Sequence, residues 1–236
     1  MRDLQGKVVV VPGASGGVGQ AVCKYLANEG CKLVIGSNQP DMLQELVAAL
    51  EADNATFVSQ ELDVTDEQQV AAFLKLAMDS FGQVDILLNL PGLSITGPIA
   101  EMDLANYRKI MDVNLMGSFL CAKHFVAMAK DGGQIINIGS MAAKRANPNA
   151  PMYCTAKAAV NMFSDGLALQ VKEKDIRVTV LNPGPIDSTF WGDRQVPREK
   201  FMKPADVAEV ILFILKMDER IVFHEVNFES FLFIKG

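Results

Sequence analysis

Two hydrophobic rhythms alternate along the chain. Short runs dense in β-branched and aliphatic residues fall at Val8–Val11, Leu33–Ile35, Thr56–Ser59, Ile86–Asn89, Gln134–Ile138, Arg177–Leu181 and Ile221–Val226. Several are continuously apolar rather than alternating, the pattern of parallel strands covered on both faces. Between them, apolar residues recur every three or four positions, which marks helices with one buried stripe. These segments are Val18–Glu29, Met42–Glu51, Asp66–Phe81, Tyr107–Lys130, Met152–Glu173 and Ala205–Met217. In the third, Val70, Phe73, Leu74 and Ala77 share a face and Gly82 supplies a stop. Alternation of this kind, with right-handed crossovers, predicts an α/β fold: a doubly wound, mostly parallel seven-stranded sheet with helices on both faces. No repeat or linker interrupts the rhythm, so residues 1–236 are expected to form a single domain.

Composition narrows the function classes. Of 236 residues, 50% are hydrophobic and 21% charged, which excludes a disordered chain. A net charge of −6 argues against nucleic acid or an anionic membrane as the main partner. The four cysteines, Cys23, Cys31, Cys121 and Cys154, form no C-x-x-C pair, and only two histidines occur. Neither a zinc site nor a disulfide framework is expected, so no metal is assigned. The N-terminus lacks the apolar core of a secretion leader, and the longest apolar run, Val210–Leu215, is too short to span a bilayer. A soluble, cytoplasmic, globular protein is the expectation.

The chemistry concentrates at strand ends. The first strand runs into Pro12-Gly13-Ala14-Ser15-Gly16-Gly17-Val18-Gly19 and then into a helix. A strand, a glycine turn and a helix present unpaired N–H groups and a positive dipole end to an anion. The spacing, Gly13, Gly17 and Gly19, is G-x-x-x-G-x-G, and it points to a dinucleotide pyrophosphate. Further on, Tyr153 and Lys157 stand four apart in a helical segment. Such residues share a face, and an ammonium beside a phenol of ordinary pKa about 10 favours its phenolate. Ser140 lies thirteen residues upstream, just after a strand, where an open α/β sheet places its ligand.

Together these ordered motifs resemble the short-chain dehydrogenase/reductase family, classical type, across nearly the whole chain, from Gly6 to about Val226. The resemblance implies a Rossmann fold and hydride transfer between a nicotinamide cofactor and a carbonyl or secondary alcohol. It implies roles as well. Tyr153 would be general acid for reduction or base for oxidation. Ser140 would bond the substrate oxygen, and Lys157 would hold the nicotinamide ribose and tune Tyr153. Asn114, in Asp112-Val113-Asn114-Leu115, matches the asparagine that anchors a proton-relay water. Gly13, Ser15, Gly17, Val18 and Gly19 would surround the pyrophosphate. Asp63 and Val64 match the adenine-contacting pair, although Asp63 also suits a turn. Asn89 and Gly92, then Pro183, Gly184, Ile186 and Ser188 in Asn182-Pro183-Gly184-Pro185-Ile186-Asp187-Ser188, would complete the cofactor wall. A non-catalytic dinucleotide sensor on the same fold is the alternative; it would need the glycine turn but not Tyr153.

The family pattern is broken in three places. The second strand ends Ser37-Asn38. NAD-preferring members carry Asp where Ser37 stands, and NADP-preferring members often carry Arg at Asn38 or a base at Gly16. With no carboxylate to repel a 2′-phosphate, and with Ser37 and Asn38 able to donate to one, the expectation leans to NADP, with NAD possible. Pro12 replaces the usual Thr of the glycine turn, and Asn89-Leu90-Pro91-Gly92 replaces N-N-A-G. The family's Thr hydroxyl bonds the Ala amide; here donor and acceptor are both gone, so neither is left unpaired. Proline packing is expected to keep these strand ends adjacent.

The remaining segments are assigned by composition. Thr189–Met202, with Phe190, Trp191 and Phe201, is expected to be the substrate lid, and Met141, Leu93, Ile95 and Met152 to give an apolar pocket. Lys144-Arg145 reads as a solvated turn in preference to an anion contact. Cys154 reads as packing. The tail Val222–Phe233 holds four of the thirteen phenylalanines, and a homodimer or homotetramer is expected to bury it.

Overall fold

A computed structural model describes residues 1–130 and 132–235. Seven strands form one sheet: β1 Val8–Pro12, β2 Lys32–Ser37, β3 Thr56–Glu61, β4 Ile86–Asn89, β5 Gly133–Ile138, β6 Ile176–Pro183 and β7 Glu225–Phe228. Their order is β3-β2-β1-β4-β5-β6-β7, every neighbouring pair parallel. The chain therefore reverses direction across the sheet between β1 and β4. That reversal opens a crevice beyond the strands' C-terminal ends.

Successive residues of a strand point to opposite faces, and β1 shows it cleanly. Val9 and Val11 pack with Leu33 and Ile35 of β2 against α1 (Gly17–Asn28), α2 (Pro40–Ala52) and α7 (Pro204–Leu215) through Val22, Leu46 and Ile211. Val8 and Val10 pack on the other face with Phe73 of α3 (Glu67–Phe81) and Phe125 of α5 (Gly117–Met128). Helix α3 starts where Asp66 accepts the Gln68 and Gln69 N–H groups and ends at Gly82, φ +76°. Proline opens α2, α6 (Pro151–Val171) and α7, where its missing N–H costs nothing.

Two boundaries differ from the sequence reading. The expected helix Tyr107–Lys130 is α4 (Leu104–Met111), a wider π turn over Asp112–Met116, then α5. The π turn takes an extra residue and shifts the apolar phase, so a 3.6-residue period cannot register it. The last strand begins at Glu225 rather than Ile221. Ile221 closes a turn onto the Asp218 carbonyl, and β7 pairs only with β6. No described helix is long and apolar enough to cross a membrane. Among the described residues, all four cysteines are unpaired and no cluster of metal-ligating side chains occurs.

Candidate active site

A cleft of about 1170 Å³ runs along the C-terminal ends of the strands. Its inner end is the glycine turn. Gly13 has φ +77°, and a Cβ there would lie 2.9 Å from the Pro91 nitrogen. A Cβ at Gly19 would overlap the Ala14 carbonyl, so α1 presses directly on the turn. No side chain caps α1, and no acid sits in its first turn. The Gly16 carbonyl takes the Gln20 N–H, leaving the amides of Gly17, Val18 and Gly19 without helical partners. This is a seat for an anion of pyrophosphate kind. The Leu90 N–H donates to the Pro12 carbonyl at 3.4 Å while the Pro91 ring lies against Gly13. The two strand ends thus stay adjacent without the missing hydroxyl–amide pair.

At the β2 end, Ser37 is only 4% exposed. Its hydroxyl meets that of Ser15 at 2.5 Å and accepts the Gln39 N–H. The Ser15–Ser37 pair consequently has one hydroxyl proton left for a ligand, not two. Asn38 is exposed, and a Cβ at Gly16 would meet only the Gly13 carbonyl, at an ordinary 3.6 Å. Asp63 is the sole carboxylate among the described residues lining the cleft, and its Oδ1 is engaged by the Thr65 amide and hydroxyl. Val64 lines the cleft beside it.

Two expected site residues lie off the wall. Asn89 is buried, and its amide donates to the Ser118 carbonyl and to Asn137 Oδ1. Its side chain joins β4, β5 and α5 and is not offered to a cofactor, a correction to the expectation from the motif. Asn114, fully buried in the π turn, donates to the Leu93 and Ile110 carbonyls and accepts the Leu93 N–H. It lies beneath the cleft and pins the loop that follows Gly92. A Cβ at Gly92 would stand 3.5 Å from Lys157 Nζ and 3.6 Å from Asn114 Oδ1. The absent side chain therefore leaves a cradle between them.

The reactive groups meet above that cradle. Ser140 follows β5; its Oγ accepts the Ala142 N–H at 3.0 Å, and its own N–H donates to Asn182 Oδ1 at 2.9 Å. Tyr153, half-buried on α6, presents its ring 5.9 Å from Lys157 Nζ. Lys157 is 2% exposed and donates to the Ile138 carbonyl at 2.8 Å. Burial pushes the Tyr153 phenol up to about 12, with the Ser140 hydroxyl pulling the other way. Burial also pulls Lys157 down to about 7. The expectation that the lysine charge would lower the phenol's pKa is reversed. Both groups lose water, and desolvation penalises the charged form of each.

The far wall carries Pro183, Gly184, Ile186 and Ser188. Ser188 faces Gly17, where a Cβ would come within 3.0 Å of it. The segment expected to be a lid folds over the cleft in short turns at Thr189–Trp191 and Arg198–Lys200. Phe190 packs on the Tyr153 ring at 5.8 Å, Trp191 on Phe190 at 5.7 Å, and Phe201 on Trp191 at 5.0 Å. Leu93 and Met141 line the cleft, whereas Ile95 faces a small neighbouring pocket and Met152 is on neither wall. Lys144 and Arg145 stand in the exposed turn expected of them, and there they pair with Glu225 and Glu229.

Sequence reasoning missed the frame behind the site. Asn161 and Asn182 exchange amide hydrogen bonds at 2.8 and 3.0 Å. Asn161 also donates to the Lys157 carbonyl, and Asn182 to Asn227 Oδ1. One amide pair thus fixes the backbones of both Ser140 and Lys157. The signal was available: Asn161 follows Lys157 by one helical turn, and Asn182 ends β6.

A strand order turning at β1, a glycine seat and a Ser-Tyr-Lys wall define a nucleotide-dependent dehydrogenase. The chain belongs to the short chain dehydrogenase family, whose model matches residues 7–199. It is an oxidoreductase acting on CH–OH or C=O groups with a nicotinamide cofactor. Among its relatives is an uncharacterized oxidoreductase of Staphylococcus saprophyticus, 31% identical over 230 residues, covering 96% of this chain and 98% of the relative. An alcohol dehydrogenase from the archaeon Thermococcus sibiricus, solved with 5-hydroxy-NADP, superposes with a TM-score of 0.88 at 28% identity, over 97% of this chain and 98% of that one. A variant of a Serratia marcescens short-chain dehydrogenase/reductase gives 0.90 at 25% identity, over 97% and 98%.

Proposed function

We propose that this cleft interconverts a small carbonyl compound and its secondary alcohol with NADP(H), Tyr153 giving or taking the proton. The observation that carries the reading is the convergence of Ser140, Tyr153 and Lys157 on one wall, above the cradle left by Gly92. When bound, the nicotinamide supplies or accepts the hydride. Ser140 Oγ already accepts the Ala142 N–H, so its own proton is free for the substrate oxygen. Tyr153 is a protonated, neutral phenol at neutral pH and hence a ready acid for carbonyl reduction. Lys157 and Asn114 flank the space in which the cofactor ribose fits, and the amides of Gly17, Val18 and Gly19 suit the pyrophosphate. Gly13, Ser15, Val64, Pro183, Gly184, Ile186 and Ser188 would complete its walls.

The NADP preference rests on what surrounds Ser37 and Asn38. The exposed Asn38 amide and one proton of the Ser15–Ser37 pair can reach a 2′-phosphate, and Asp63 is already engaged. The Thermococcus neighbour holding 5-hydroxy-NADP supports the same choice. Fluorescence titration should find NADPH bound about tenfold more tightly than NADH, which corresponds to about 1.4 kcal/mol. NADH preference would overturn the NADP reading. Tyr153→Phe should bind NADPH as before and lose about 10²- to 10⁴-fold in turnover; retained turnover would overturn the role of Tyr153.

Self-association is part of the proposal. Of the four tail phenylalanines, Phe223 and Phe228 pack on the core and Phe233 on Phe201, whereas Phe231 stays 74% exposed beside Leu232 and Ile234. Sedimentation should show a homodimer or homotetramer; a monomer at all concentrations would refute it.

A further inference from the structure

The substrate end of the cleft has an unbalanced charge. Its carboxylate, Asp63, lies at the opposite end, beside β3. Besides Lys157, the cations lining the cleft are Arg194, Arg145 and Lys109, the last exposed on α4. Arg145 is committed to Glu229. Arg198 and Lys203 both pair with Asp187, and Lys200, which has no ion pair among the described residues, does not line the cleft. Arg194 differs. Among the described residues it has no carboxylate partner; it donates only to the Trp191 and Phe190 carbonyls.

Arg194 is also held in place. Its guanidinium carbon stands 5.3 Å from the Phe190 centroid and 5.0 Å from that of Trp191. Phe190 packs in turn on the Tyr153 ring. A single aromatic ring therefore separates the proton donor from a half-buried, oriented cation. The charge reaches the reacting end, since Arg194 draws the Tyr153 phenol downward. The bonds to the Trp191 and Phe190 carbonyls use Nε and one Nη2 hydrogen, so Nη1 and the outer Nη2 hydrogen remain, an end-on pair of donors that matches an oxyanion.

We propose that Arg194 anchors an anionic group of the substrate, so that the enzyme takes carbonyl compounds bearing a carboxylate or phosphate on the side away from the nicotinamide. The inference rests on the proposed function and specifies its substrate class. Phe190 and Trp191 favour a flat apolar body between the carbonyl and the charge.

The test uses para-carboxybenzaldehyde, its neutral methyl ester and para-formylphenyl phosphate, with saturating NADPH. The wild type should favour an anionic aldehyde over the ester by about tenfold or more in kcat/KM, chiefly through KM. The carboxylate and phosphate arms decide which anion the site fits. R194Q should erase the preference, anions and ester then being used alike within that variant, and residual reduction of the ester reports that the loop is intact; R194K should keep part of the preference. Equal use of ester and anions by the wild type, or a preference that survives R194Q, would overturn the inference while leaving the oxidoreductase reading standing. A second readout does not need turnover. Trp191 is the only tryptophan, so its emission should respond to benzoate at lower concentration than to benzamide, and R194Q should remove the difference. A clear benzoate preference with no reduction of any of these aldehydes or of the matching acetophenones, whose products are secondary alcohols, would uphold the anion site and refute the proposed reaction. No benzoate preference would refute the anion site.

Discussion

Lys157 makes the sharpest prediction, because the protein buries an amine with one carbonyl as its partner. Burial lowers its pKa to about 7 from an ordinary 10.5. At about 1.4 kcal/mol per pH unit that gap is worth about 4 to 5 kcal/mol, the cost of keeping the ammonium in place. Water entering the cleft and the bond to Ile138 reduce it, and about 2 to 3 kcal/mol is the expected size. The sign follows from proton binding. The unfolded chain holds this proton more tightly than the native protein. Below pH 7 both states carry it and the full penalty applies. Between about 7 and 10.5 the native lysine is neutral while the unfolded one is not, so the penalty shrinks as pH rises. Tyr153 does not confuse this window: its stabilising share is intact below its unfolded value of 10 and is lost only as pH rises through about 12. Lys157→Met keeps the chain length and removes the charge. Urea unfolding at pH 6 should show the variant more stable by about 2 to 3 kcal/mol. By pH 10 the advantage should vanish or reverse, since the Ile138 carbonyl has then lost a donor. A stability difference that is the same at both pH values would refute the reasoning.

Other perturbations separate fold from site. Gly92→Ala adds a methyl at ordinary contact distance, so thermal unfolding should barely move, while NADPH affinity falls about tenfold or more because the cradle fills. Asn182→Ala strands the Ser140 N–H and the amide groups of Asn161 and Asn227; chemical denaturation should show a loss of about 3 kcal/mol, and kcat should fall with it. Pro12→Thr restores a hydroxyl to a site whose amide partner is still absent at Pro91, so calorimetry should find no gain in melting temperature. A rise of several degrees would show that a partner exists.

The sequence was most readable where local chemistry and global position agreed. Ile86–Asn89 is continuously apolar and buried on both faces, and its bounds coincide with the observed strand. Tyr153 and Lys157 were visible because an i,i+4 pair on a helix must share a face. Ile221 and Val222 show the opposite case. Their β-branched character suggested a strand, but edge pairing began only at Glu225. Asn89 misled for a related reason: a motif letter does not say which way a side chain points, and the demand for partners between β4 and β5 decided it. Arg194 carried no local signal, since its meaning depends on Tyr153, distant in sequence, and on its having no carboxylate partner among the described residues.

The Asn161–Asn182 pair has a consequence for how this enzyme can change. Everything that fixes Ser140 and Lys157 from behind is complete at Asn182, and the covering loop leaves the sheet directly after it. The loop can thus be rebuilt, lengthened or exchanged like a tool head on a finished handle. New substrate preferences can accumulate there by drift or by engineering, while the reacting geometry is inherited unchanged.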